Sequence, residues 1–181
     1  MEKRALVLLA QGCEELEAVT IIDLLRRGGI QVVTAGLTPD FVVASRGVKL
    51  IPDTALDRVL AEAFDLVVLP GGLPGADNLA LDDRVLNLLR QQVAAGRFVG
   101  AICAAPVVLA KAGLLKGKRA TCYPGMLNSV KEVTCTGNAI EKDGNVVTSR
   151  GPGTALDFGL ILVEMLMGRP TRDRVEQSLV R

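Results

Sequence analysis

Leu66-Val67-Val68-Leu69 is apolar at every position and stops at Pro70-Gly71-Gly72. A strand that presents apolar side chains to both faces has to be covered on both, which means parallel neighbours with helices above and below. The rest of the chain repeats that grammar, alternating strand and helix without an internal repeat, low-complexity tract or linker. Arg4 to Leu9 reads as a first strand, Glu14 to Gly28 as a helix ended by Gly28-Gly29, and Gln31 to Ala35 as a second strand. Phe41 to Ile51 reads as a short hairpin and Leu56 to Ala63 as a weak helix. A helix over Asp82 to Ala95 precedes a strand over Phe98 to Ile102, and a further helix runs from Pro106 to Ala112. Val133 to Thr136 and Ala139 to Ser149 predict a hairpin turning at Asp143-Gly144, followed by an apolar helix over Ala155 to Met167 and a short helix from Thr171. The expected class is α/β, a mostly parallel central sheet in a three-layer α/β/α sandwich, with residues 1 to 181 as one domain.

With 49% hydrophobic and 23% charged residues the chain has material for a full core. Its net charge of +1, from 21 basic and 20 acidic residues, carries no footprint for nucleic acid or an anionic membrane. The apolar run Ala5 to Ala10 is cut by Gln11-Gly12 and is too short for a signal-peptide core or a spanning helix, so a cytoplasmic protein is expected. Cysteines at 13, 103, 122 and 135 form no Cys-x-x-Cys pair, and free thiols are the default. The absence of histidine removes Cys-His proteolysis, Ser-His-Asp hydrolysis and His-ligated metal sites. Any base therefore has to be a carboxylate, water or Tyr123.

Cys103 sits where the Phe98 to Ile102 strand meets Ala104-Ala105-Pro106 at the start of a helix, whose unpaired N–H groups favour thiolate over thiol. A buried inert cysteine is the alternative at such a place. Ligands in open parallel sheets sit beyond the carboxyl ends of central strands, where Cys103 and Pro70-Gly71-Gly72 both fall. Gly71 or Gly72 together with Ala104 then offer backbone N–H groups for an oxyanion, or the glycines merely make a tight turn. Glu17 shares a helix stripe with Ile21, Leu24 and Leu25, so its carboxyl points inward. Burial there raises its pKa and leaves an acid able to bond a thiolate, unless the residue only complements the helix dipole.

Four stretches in order, Gly12-Cys13-Glu14-Glu15-Leu16-Glu17, Val68-Leu69-Pro70-Gly71-Gly72, Ala101-Ile102-Cys103-Ala104 and Thr148-Ser149-Arg150-Gly151-Pro152-Gly153-Thr154, resemble the ThiJ/PfpI superfamily. The branch resembled is that of the Parkinsonism-associated protein deglycase and the bacterial YajL proteins, and the likeness runs over nearly the whole chain. It implies a flavodoxin-like fold and a homodimer with active sites near the interface. It makes Cys103 the nucleophile, Glu17 its protonated partner, and Gly72 and Ala104 the backbone donors. Arg46 matches an arginine that crosses the family's dimer interface, with Arg150 as its neighbour, though both positions also suit solvated charges. The chain departs at Cys122-Tyr123-Pro124, where many members carry His-Pro; YajL-type proteins lack that histidine too. Tyr123 there is either a hydrogen-bond donor or a packed aromatic.

What the resemblance implies is a cofactor-free glyoxalase or deglycase, acting on small 2-oxoaldehydes such as methylglyoxal and on glycated thiols or amines to give lactate or glycolate, with a stress-protective role. The competing expectation is a non-enzymatic sensor or chaperone that works through oxidation of Cys103 to sulfinic acid. Cys13, Cys122 and Cys135 read as packing residues, the alternative being redox exchange of one of them with Cys103.

Overall fold

The computed structural model describes residues 2–181. Its strands are β1 Arg4–Leu9, β2 Gln31–Gly36, β3 Val42–Val43, β4 Lys49–Leu50, β5 Thr54–Ala55, β6 Leu66–Leu69, β7 Phe98–Ile102, β8 Lys118–Ala120, β9 Val133–Cys135, β10 Ile140–Asp143 and β11 Val146–Ser149. Its helices are α1 Glu15–Arg27, α2 Gly75–Leu81, α3 Asp83–Ala94, α4 Pro106–Lys111, α5 Ala155–Met167 and α6 Arg169–Ser178. Seven strands form the main sheet in the order β10-β11-β7-β6-β1-β2-β5, parallel throughout except for the β10-β11 pair. That hairpin turns at Gly144-Asn145, one residue later than the expected Asp143-Gly144, because Asp143 is still paired with Val146.

Period-two alternation sorts the side chains of the central strands between two cores. Ala5, Val7 and Leu9 of β1, with Leu66 and Val68 of β6, pack under α1 and α5, where Ile21, Leu24, Phe158 and Leu162 lie. Leu6, Leu8, Val67 and Leu69 face the opposite layer, built by Leu79, Leu86, Leu89 and Val108 of α2, α3 and α4. Helices α1 and α5 approach closely because α5 carries Gly159 at the crossing, where a Cβ would come within 2.5 Å of Leu24 Cδ1. No helix among the described residues is long and apolar enough to cross a membrane.

Four features differ from the sequence expectation. The weak helix over 56–63 is only a 3-10 turn, Leu56–Arg58, because Thr54 and Ala55 are drawn into the edge strand β5. Helix α2 follows directly after the Pro-Gly-Gly turn, where glycines and prolines hid its periodicity. Strand β9 leaves the main sheet to pair in parallel with β8, a partner too short and too charged to read as a strand. Helix α6 starts at Arg169, two residues before the expected Thr171, with Pro170 in its first turn.

Candidate active site

The strand order doubles back at β1, whose neighbours are β2 on one side and β6 on the other, so the crevice of a doubly wound sheet opens above the carboxyl ends of β1 and β6. Three connections meet there. The first leads from β1 into α1 and carries Glu17, the second follows β6 and carries Gly71-Gly72, and the third follows β7 and carries Cys103.

Cys103 adopts φ 64, a left-handed conformation that costs a non-glycine residue about 1–3 kcal/mol. The turn is held from both sides: Cys103 N–H donates to Ser149 O at 3.0 Å and Cys103 O accepts from Tyr123 N–H at 2.7 Å. The Ser149 end is braced by a hydroxyl pair, Ser149 Oγ with Thr154 Oγ1 at 2.7 Å. This is the structural use of the Thr148 to Thr154 motif, for which sequence reasoning had no role beyond Arg150. Backbone N–H groups of Gly72 and Ala104 lie beside the sulfur and favour its anionic form.

Glu17 is wholly buried, as its stripe predicts. Its Oε2 accepts from Gly71 N–H at 2.8 Å. Gly71, expected as an oxyanion donor, therefore spends its N–H on the carboxyl. A Cβ at Gly71 would lie 2.6 Å from Cys103 Cβ, and one at Gly72 2.4 Å from Glu14 N, so both positions require glycine. Glu14 completes the clamp: its N–H donates to Gly71 O at 2.9 Å and its Oε2 caps α1 by accepting from Glu17 N–H at 2.7 Å. The other oxygen of Glu17, Oε1, is buried and has no hydrogen-bond partner of standard geometry among the described residues. Burial raises the Glu17 pKa to about 7, against the lowering effects of the Gly71 N–H and the Cys103 thiol.

The Cys103 thiol is itself pushed up to about 12, by burial first and then by the charge of Glu17. The helix dipole expected to favour thiolate belongs to α4, only six residues long, and does not outweigh those two effects. The pair is coupled, because a proton on Glu17 removes the repulsion and supplies a donor to the sulfur. Burial and this mutual effect together favour a protonated Glu17 beside the Cys103 sulfur.

The sulfur opens onto a hollow of about 270 Å³ lined by Glu14, Ser45, Arg46, Gly72, Leu73, Cys103, Ala104, Tyr123, Met126 and Pro152. Arg46 thus lines the hollow of its own chain. Its loop is tied to α1 by Glu15, which accepts from Ser45 Oγ at 3.0 Å and from Arg46 N–H at 2.9 Å. Arg150 is not in this wall. It lines an adjoining hollow of about 280 Å³ that shares Tyr123 and Pro152, and donates to Gly137 O at 3.0 Å. Sequence reasoning missed Glu14, Ser45, Leu73, Met126 and Pro152, of which Glu14 and Pro152 lay inside motifs that marked them.

The sequence profile of the DJ-1/PfpI family matches residues 3–165. The chain belongs to the DJ-1/PfpI family. Among its curated DJ-1 relatives, Protein dj-1beta of Drosophila melanogaster is 45% identical over 99% of this chain and 98% of its own length. The crystal structure of Drosophila DJ-1beta superposes with a TM-score of 0.97, again over 99% and 98% of the two chains. Glutathione-independent glyoxalase DJR-1.2 of Caenorhabditis elegans is 40% identical over 92% of this chain and 90% of its own. The structure of oxidized Toxoplasma gondii DJ-1 matches with a TM-score of 0.95 at 34% identity, covering 98% of each chain. The DJ-1 fold is thereby the fold of this protein, and a DJ-1-type glyoxalase or deglycase role is the coarse functional statement the family supports.

Proposed function

We propose that this DJ-1-family protein is a glutathione-independent glyoxalase that converts small 2-oxoaldehydes, methylglyoxal first among them, to 2-hydroxy acids, and that it acts likewise on early glyoxal adducts of thiols and amines. The observation that carries this reading is the buried carboxyl of Glu17 beside Cys103, with the N–H groups of Gly72 and Ala104 at the sulfur. The Cys103 sulfur adds to the aldehyde carbon, and the oxygen that gains the electron pair is held by those N–H groups as a hemithioacetal forms. Glu17 then takes the proton from that carbon and returns one to the adjacent carbon, so that the former aldehyde becomes a thioester and the ketone an alcohol. Water cleaves the thioester, releasing lactate and the thiol. The net reaction adds one water to methylglyoxal and needs no external oxidant, reductant or cofactor. Arg46 and Tyr123 line the hollow that receives the substrate.

Lactate production from methylglyoxal without glutathione tests the proposal, comparing the native chain with Cys103→Ala and Glu17→Gln. Turnover in the native protein lost in both variants supports it; no turnover by fully reduced native protein overturns it. A second reading has its own support, because the donors that stabilise a thiolate equally stabilise a sulfinate at Cys103, and an oxidized relative is known. That reading expects two oxygens gained at Cys103 under peroxide and no aldehyde turnover. In either case the absence of histidine predicts that casein is not cleaved.

A further inference from the structure

Behind the wall of the hollow that Tyr123 and Met126 help to form lies a pair of thiols that the Cys103 chemistry does not use. Cys122 Sγ and Cys135 Sγ are 3.9 Å apart. Cys122 is buried and Cys135 is exposed, so one sulfur faces the core and the other faces reagents in solution. Their backbones are fixed relative to each other by the β8-β9 pair, in which Ala120 lies opposite Cys135, and by two further bonds. Thr136 N–H donates to Ala120 O at 2.9 Å and Thr121 Oγ1 donates to Asn138 O at 2.7 Å. A disulfide needs the sulfurs at about 2.05 Å, so from 3.9 Å they have to close by roughly 2 Å.

We propose that Cys122 and Cys135 are a second redox site, separate from Cys103, which closes to a reversible intrachain disulfide when the protein meets a hydroperoxide. The thiolate of exposed Cys135 attacks the terminal oxygen of the hydroperoxide, forming Cys135 sulfenic acid and breaking the O–O bond to release an alcohol, or water from hydrogen peroxide. The thiolate of Cys122 attacks the Cys135 sulfur, forming the S–S bond and expelling hydroxide, which leaves as water. Two thiols and one peroxide become one disulfide, one alcohol and one water; each sulfur gives up one electron and the O–O bond accepts both.

The division of labour follows from the surroundings. Cys122 is held protonated by burial and by the negative charge of Cys135, and its pKa is raised to about 11, while the backbone N–H groups of Leu127 and Met126 pull the other way. The two N–H groups stay beside Cys122 when Cys135 is oxidised and favour the thiolate that attacks the Cys135 sulfur.

The test treats the full chain with graded hydrogen peroxide, alkylates remaining thiols after denaturation, and maps peptides without reduction. It is run on the native protein and on Cys103→Ser, which removes oxidation of the nucleophile from the mass balance. The expected result is loss of two titratable thiols in Cys103→Ser, and of the same two in addition to Cys103 in the native protein, with a mass lower by two hydrogens at this pair and a Cys122-to-Cys135 linked peptide that dithiothreitol dissolves. Cys135→Ser, at an exposed position, is expected to abolish the link while native-like circular dichroism is retained. Three outcomes overturn the proposal: Cys135 taking up oxygen while Cys122 remains alkylatable, a disulfide joining two chains through Cys135, or both thiols surviving peroxide that oxidises Cys103.

Discussion

At the residue scale the controlling fact is a carboxyl placed where it is expensive to ionise. Glu17 is fully buried and has a pKa raised from 4.5 to about 7, so the folded state holds a proton that the unfolded chain has lost over that interval. Stability tied to this proton is complete below the unfolded value and disappears as pH rises through the folded one. The expected loss is about 3 kcal/mol between pH 4.5 and 7. Urea denaturation of native and Glu17→Gln protein across that window checks it: the stability difference between the two should shift with pH by about that amount, in favour of Gln at the upper end. In turnover, Glu17→Gln is expected to lower kcat for methylglyoxal roughly a hundred- to ten-thousand-fold, because the amide neither gives up nor accepts the proton that has to move between carbons.

At the scale of elements, three strand ends are locked to one another by backbone atoms, and the glycines are where they touch. Gly72 combines φ 86 with an approach that would put a Cβ 2.4 Å from Glu14 N, whereas Gly29, at φ 75, has open space around it. Gly29→Ala is expected to cost only the backbone strain, about 1 kcal/mol, and to leave turnover intact. Gly72→Ala is expected to cost more than that in chemical denaturation and to remove most lactate formation, since the obstructing atom is backbone of the α1 cap and cannot swing aside. Equal effects of the two substitutions would show that the approach to Glu14 does not matter. The strands and long helices were legible in the sequence because periodicity and apolar runs mark them: β1, β6, β7 and α5 begin and end within a residue of where their patterns do. Helix α2 and strand β8 were not, since glycines, prolines and charges obscure them and only their neighbours make them regular.

At the scale of the whole molecule, the sheet is covered on both faces, and the outer surface of α1 then becomes informative. Leu16 and Val19 are about half exposed one helical turn apart, and Val48, on the loop that Glu15 ties to α1, is exposed to the same degree. Family resemblance implies a homodimer, and this apolar surface beside the Arg46 loop is where its contact is expected. Sedimentation should give twice the chain mass for native protein, and Val19→Lys should reduce it to the mass of a single chain. A native monomer would remove the dimer from this reading. Phe158, in the centre of the α1-α5 layer, is expected to cost about 3–5 kcal/mol on replacement by Ala, with a matching fall in Tm.

The local code was enough to determine the α/β class, the inward face of Glu17 and the placement of Cys103 and Gly72 at strand ends, because side-chain period and strand-to-turn punctuation are properties of consecutive residues. Tertiary structure alone decided which donors meet which acceptors. Gly71 was given to Glu17 rather than to a substrate, Arg46 was brought into the hollow while Arg150 was left in the adjoining one, and Ser149 and Thr154 were set under the strained turn. The same is true of the thiol pair, for Cys122 and Cys135 are thirteen residues apart and meet only because β8 and β9 pair. Contacts of that kind depend on how distant segments close against each other, which no stretch of neighbouring residues encodes.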